Sequence, residues 1–131
     1  MNRFIRSFWP ALAWAIVITY LSVVPGDNLT LPPFEYADKL AHSGVYYLLS
    51  MLIIAGISRQ WDSGLRLGRA VFIAILISIV LGGVLELIQQ NMLSTRSGDV
   101  LDFVANTLGS FLAGLTHYVF KPFGKLLKDL K

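Results

Sequence analysis

The chain has 131 residues, 55% of them hydrophobic and 15% charged, with a mean hydropathy of +0.63. A water-soluble domain carries about 25% charged residues, so composition excludes an ordinary soluble globule and points to a membrane protein. The absence of cysteine excludes a disulfide framework and a thiolate metal centre, and this length suits a single domain over 1–131.

Met1 to Ser7 is short and basic, with Arg3 and Arg6. Phe8 to Val24 follows without a charge, opened by Trp9-Pro10 and closed by Pro25-Gly26. Proline fits the first turn of a helix and Pro-Gly ends one, so a first span over 8–24 is expected. Ser22-Val23-Val24 is a poor small-residue cleavage site, which argues against a leader peptide. Asp27 to Ala37 lacks a helical period and reads as a loop. Leu40 to Ile57 forms the second span, and Ser58 to Arg69 is a polar, glycine-broken connection. Ala70 to Leu85 contains no charge, and with Glu86 to Gln90 it makes a third span over 70–90. Asn91 to Asp99 is a tight turn before a fourth span over 100–120. In the tail, Phe123, Leu126, Leu127 and Leu130 recur at helical spacing between Lys121, Lys125, Lys128 and Lys131. That pattern predicts a basic amphipathic segment lying on a leaflet, each cation near anionic lipid being worth about 1 kcal/mol. The expected fold is an all-α integral membrane protein: four transmembrane helices as two hairpins plus this short segment.

Charge sets the orientation. With a cytoplasmic N-terminus, both termini and the 58–69 loop lie inside, and nine of the eleven Lys and Arg residues fall on that side. Only Lys39 and Arg96 remain outside, as the excess of cations in cytoplasmic loops requires. Most of the acids run the other way, including Asp38, Glu86, Asp99 and Asp102. The net charge of +3 therefore reads as topology, and no nucleic-acid partner is expected.

Polar side chains recur at helical spacing where three spans meet the outer side. Asp38, His42 and Tyr46 share one face at i, i+4 and i+8. Glu86 stands one turn from Gln89 and Gln90. Asp102, Asn106, Gly109 and Ala113 share a third face, whose small residues allow close helix approach, and Gly82-Gly83 offers a matching groove. Turning these faces inward makes a polar pocket open to the outside, with Arg96 and Lys39 meeting Glu86, Asp99 and Asp102, and His42 able to titrate near neutral pH. Ionisable groups at the edge of hydrocarbon are expensive, which marks them as candidate functional residues. The alternative is an ion-pair cluster that only ties the helix ends together. His42 with Asp38, Glu86 and Asp102 is an unspecific metal signal, so no metal and no cofactor is expected.

Asp38-Lys39-x-x-His42 with Tyr46, then Glu86-x-x-Gln89, Arg96 and Asp102-x-x-x-Asn106-x-x-Gly109 with Gly114, resemble in order the signature of the VanZ-like family. The resemblance runs from about Val24-Pro25 to Gly114. It implies a bacterial cell-envelope protein of the cytoplasmic membrane, in a family whose named member is associated with teicoplanin resistance. The implied binding residues are Asp38, Lys39, His42, Tyr46, Glu86, Gln89, Arg96, Asp102 and Asn106, joined by Asp99 from the residue pattern. The expected function is binding of a lipid-linked cell-wall precursor or glycopeptide headgroup, contributing to glycopeptide resistance. Two other readings stay open. One is an acid/base enzyme using His42, Glu86 and Asp102, for which no nucleophile is evident. The other is a small proton-coupled carrier or flippase.

Overall fold

A computed structural model describes residues 2–24, 34–60, 67–92 and 98–129; of 67 and 121–129 only the backbone is described. Four helices make up these residues: α1 (Arg3–Val23), α2 (Ala37–Gln60), α3 (Leu67–Met92) and α4 (Val100–Asp129). Three of them, α1, α2 and the stretch Gly68–Met92 of α3, are long and apolar enough to cross a membrane.

The helix ends explain themselves locally. The side chain of Asn2 accepts the Phe4 N–H at 3.2 Å, so α1 starts at Arg3 rather than at Phe8. Pro10 consequently sits inside the helix and not in its first turn, a correction to the sequence expectation. The basic tail differs as well: instead of forming a segment of its own, it continues α4 without a break to Asp129, past Pro122. The loop residues 25–33 and the turn residues 93–97, among them Arg96, lie outside the described residues, as does Lys131.

The hydrogen bonds between helices fix their directions. Arg3 Nη2 donates to the Arg59 carbonyl at 3.1 Å, Ser7 Oγ to Gln60 Oε1 at 3.4 Å, and Trp14 Nε1 to the Val45 carbonyl at 2.9 Å, so α1 and α2 are antiparallel. Pairings of residues 39 with 102 and 42 with 106 rise together in number, so α2 and α4 run parallel. Helix α2 is the hub: it packs on all three others, most extensively on α4, while α1 and α4 share no contact among the described residues.

The closest approach is made by Gly109. A methyl group there would run into the Ser43 carbonyl oxygen and stand 2.8 Å from the Ser43 carbonyl carbon. Only glycine lets the two backbones lie this near. Leu49, Ile53, Ile54 and Ile57 of α2 meet Val71 and Ala74 of α3 in the core, where Ser50 Oγ and Ser78 Oγ hydrogen-bond at 2.8 Å with both residues fully buried. Outward, Leu12, Ile16 and Tyr20 of α1, Phe72, Leu76 and Val80 of α3, and Leu108, Leu112 and Leu115 of α4 are exposed. Apolar faces of this extent are what a bilayer covers.

Candidate functional site

One end of the bundle gathers the N-termini of α2 and α4 and the C-termini of α1 and α3, with Lys39 at its centre. The Lys39 ammonium donates to Asp99 Oδ2 at 2.7 Å, to Asp102 Oδ1 and, more weakly, to Asp38 Oδ2 at 3.4 Å. The pairing is possible because Asp38-Lys39 opens α2, Asp99 immediately precedes α4 and Asp102 lies in its first turn. Asp99 is also the N-cap. Its Oδ1 accepts the Leu101 N–H at 2.8 Å, and its carbonyl accepts the N–H groups of Asp102 and Phe103. The Lys39 ammonium, and after it the Leu101 N–H, hold the Asp99 carboxyl below the ordinary carboxylate range.

One turn further into the bundle, His42 Nδ1 and Asn106 Oδ1 are hydrogen-bonded at 3.0 Å. The other ring nitrogen faces two carboxylates, Asp38 Oδ1 at 3.7 Å and Asp102 Oδ2 at 3.6 Å, both longer than a hydrogen bond. Asn106 is 2% exposed and is packed against Gly82 together with the buried ring of Tyr46. Asp38, His42 and Asp102 could together hold a metal ion, since one ligand atom from each lies within 4.8 Å of the others.

Glu86 enters by a different route from the one the residue pattern suggests. Its carboxylate accepts the Asp99 N–H at 3.0 Å rather than pairing with Lys39. The chain can cross there because position 98 is glycine; a Cβ would stand 2.6 Å from the Glu86 carbonyl oxygen. Gln89 faces elsewhere. It is buried, and its Nε2 donates to the Ser22 carbonyl at 2.9 Å, tying α3 to the end of α1. Asp38, Lys39, His42, Asp99, Asp102 and Asn106 are thus linked in one network, Glu86 joins through the Asp99 backbone, and Tyr46 lies one turn deeper. Arg96 falls outside the described residues.

Sequence reasoning did not foresee the N-cap role of Asp99, although Asp99-x-x-Asp102 before an apolar run carries the spacing of a capping box. It also missed the Ser22 carbonyl, for which a sequence holds no signal. The cluster can accept hydrogen bonds and attract cations: three carboxylates meet one ammonium, a fourth, Glu86, stands beside them on the Asp99 N–H, and that ammonium is already engaged. An apolar groove of about 360 Å³ elsewhere in the bundle, lined by Phe8, Leu12, Leu49, Ile53, Ile73 and Leu81 among others, includes none of these residues.

No family model matches the chain, and no solved structure matches it. It is similar to an uncharacterized protein of Schizosaccharomyces pombe, 33% identical over 109 residues, which are 83% of this chain and 63% of that protein.

Proposed function

We propose that this chain is a VanZ-like multi-pass protein of the cytoplasmic membrane whose gathered helix ends bind the polar head of an amphiphile. The four-span topology with both termini cytoplasmic is part of this reading. It is supported by the split of Lys and Arg residues and by the absence of Asp, Glu, Lys and Arg from Val104 to Phe120 within the unbroken helix α4. The observation that carries the reading is the state of Lys39. Its ammonium is met by three carboxylates, so the surplus of the site is hydrogen-bond acceptors. Such a site suits amines, amides and sugar hydroxyls, the groups displayed by lipid-linked saccharide precursors and by glycopeptides such as teicoplanin. The similarity to a fungal protein favours lipid-linked saccharides in general over a ligand confined to bacterial walls. Glycopeptide tolerance is then a consequence of the same headgroup chemistry.

The test uses teicoplanin and an amino-sugar-bearing polyprenyl phosphate as probes for the protein in nanodiscs. A hydrogen bond to a charged group contributes about 1.5–3 kcal/mol, so Glu86→Gln and Asp102→Asn should each weaken binding by roughly 10-fold to 150-fold. Unchanged helical content serves as the control for folding. Equal binding by wild type and both variants, or no binding of either probe, refutes the reading.

A further inference from the structure

We propose that Asp38, His42 and Asp102 form a binding site for one divalent transition-metal ion, with Zn²⁺ the best fit. The inference does not depend on the headgroup reading; it rests on how each ligand atom is aimed.

The two carboxylates are divided in the same way. Lys39 takes one oxygen of each, Asp38 Oδ2 and Asp102 Oδ1. The remaining oxygens, Asp38 Oδ1 and Asp102 Oδ2, both face His42 Nε2. Lys39 therefore orients the two carboxylates from behind and does not fill the space between them and the ring. The imidazole is oriented from behind as well. Asn106 Oδ1 can only accept, so the hydrogen bond assigns a proton to Nδ1, and the neutral ring then carries its lone pair on Nε2. In that tautomer a lone pair and two carboxylate oxygens point at one another and repel, and a cation bound among them removes the conflict. A metal-bound histidine characteristically donates its other N–H to a fixed acceptor, and here that acceptor is 2% exposed.

The distances agree with this. Zn–N and Zn–O bonds of about 2.0–2.2 Å in tetrahedral geometry place neighbouring ligand atoms about 3.4 Å apart. Nε2 stands 3.6 and 3.7 Å from the two oxygens, near that spacing, and all three ligand atoms lie within 4.8 Å of one another. All three ligands stand on helices: Asp38 and His42 one turn apart on α2, Asp102 in the first turn of α4. The Gly109–Ser43 contact holds the two helices in register. Imidazole disfavours Mg²⁺ and Ca²⁺, and three protein ligands leave a fourth position open for water or an outside ligand. Asp38 is half exposed, so an ion has a way in.

The experiment is metal titration of the full chain purified in detergent and stripped with EDTA. Wild type should bind one equivalent of Zn²⁺ by calorimetry and by elemental analysis after desalting, and Co²⁺ should give visible bands of a low-coordinate N/O site. His42→Ala and Asp102→Asn should lose binding, and Asn106→Leu should weaken it 10-fold to 100-fold through the freed ring. His117→Ala, at the other histidine, should bind like wild type. Helical content by circular dichroism identifies variants that fail to fold, and the wild-type result stands without them. Failure of folded wild type to bind Zn²⁺, retention of binding by folded His42→Ala, or equal affinity for Mg²⁺ overturns the inference.

Discussion

Gly109→Ala isolates the contact on which the site depends. In a helix interior, replacing glycine by alanine ordinarily stabilises by about 1 kcal/mol, because the unfolded chain loses freedom and helix propensity rises. At 109 the added methyl would meet the Ser43 backbone, 2.8 Å from its carbonyl carbon and 3.0 Å from its Cα. Backbone cannot rotate aside as a side chain can, and optimal carbon contacts are about 3.5–4.0 Å, so α4 must retreat from α2 by about 1 Å. Overpacking of this kind costs about 1–3 kcal/mol, and more when hydrogen bonds stretch with it. Here the 3.0 Å His42–Asn106 bond and the Lys39 ion pairs span the same gap. The net expectation is a loss of up to about 2 kcal/mol once the helix gain is subtracted. Gly44 supplies the control on the same helix pair: nothing lies within 4 Å of its added Cβ, so Gly44→Ala should gain up to about 1 kcal/mol. Reversible unfolding of the detergent-solubilised protein in SDS, followed by circular dichroism, measures both. Gly109→Ala as stable as Gly44→Ala would refute the close-approach argument.

Lys39→Met should cost about 2–3 kcal/mol, mostly because Asp102, whose side chain is 12% exposed, keeps a charge with no counter-ion, whereas exposed pairs contribute under about 1 kcal/mol. The double variant Lys39→Met with Asp102→Asn should recover more than half of that loss in the same SDS unfolding, and strict additivity would contradict it. Gln89→Leu should destabilise by about 1 kcal/mol by removing the hydrogen bond that ties α3 to the Ser22 carbonyl, yet leave Zn²⁺ and headgroup affinity within about twofold, as befits a helix tie. Asp99 has a lowered folded pKa, so its contribution is complete above the unfolded value of about 3.9 and is lost as pH falls through the lower folded one. Asp99→Asn should therefore flatten the acid limb of a stability profile below about pH 5 and leave the slope above it unchanged.

How far these features were legible differs by the kind of information each needs. Asp38 and His42 on one face, and Asp102, Asn106 and Gly109 on another, follow from helical period alone, and the structure opposes these two faces across the α2–α4 contact. Partner choice is a different matter, because it depends on register. Glu86 sits at the right end of α3, but glycine at 98 lets the chain cross its carbonyl, and the carboxylate meets a backbone N–H before any lysine. Gln89 lies only one turn from Glu86, yet that turn rotates it toward α1. The start of α4 at Val100 was legible, but the start of α1 was not, for a third reason. Asn2 caps through a side-chain hydrogen bond that a hydrophobicity pattern does not register, so α1 begins before its apolar run.

The acids are more numerous than the fold requires. Parallel α2 and α4 bring two helix N-termini together, about +0.5 charge each, which carboxylates in the first turns would offset. The C-termini of α1 and α3 end on the same side and return about −0.5 each, so the dipoles nearly cancel across the site. Helix ends therefore account for little of the charge on Asp38, Glu86, Asp99 and Asp102, against which Lys39 is the one ammonium in contact among the described residues. With all four acids ionised, three negative charges remain among the described residues. A cluster built only to clip helix ends together would be driven toward neutrality, since each unpaired charge at the edge of hydrocarbon costs stability. A divalent cation would offset two of these three charges, and the two carboxylate oxygens turned toward His42 Nε2 are where that cation would sit.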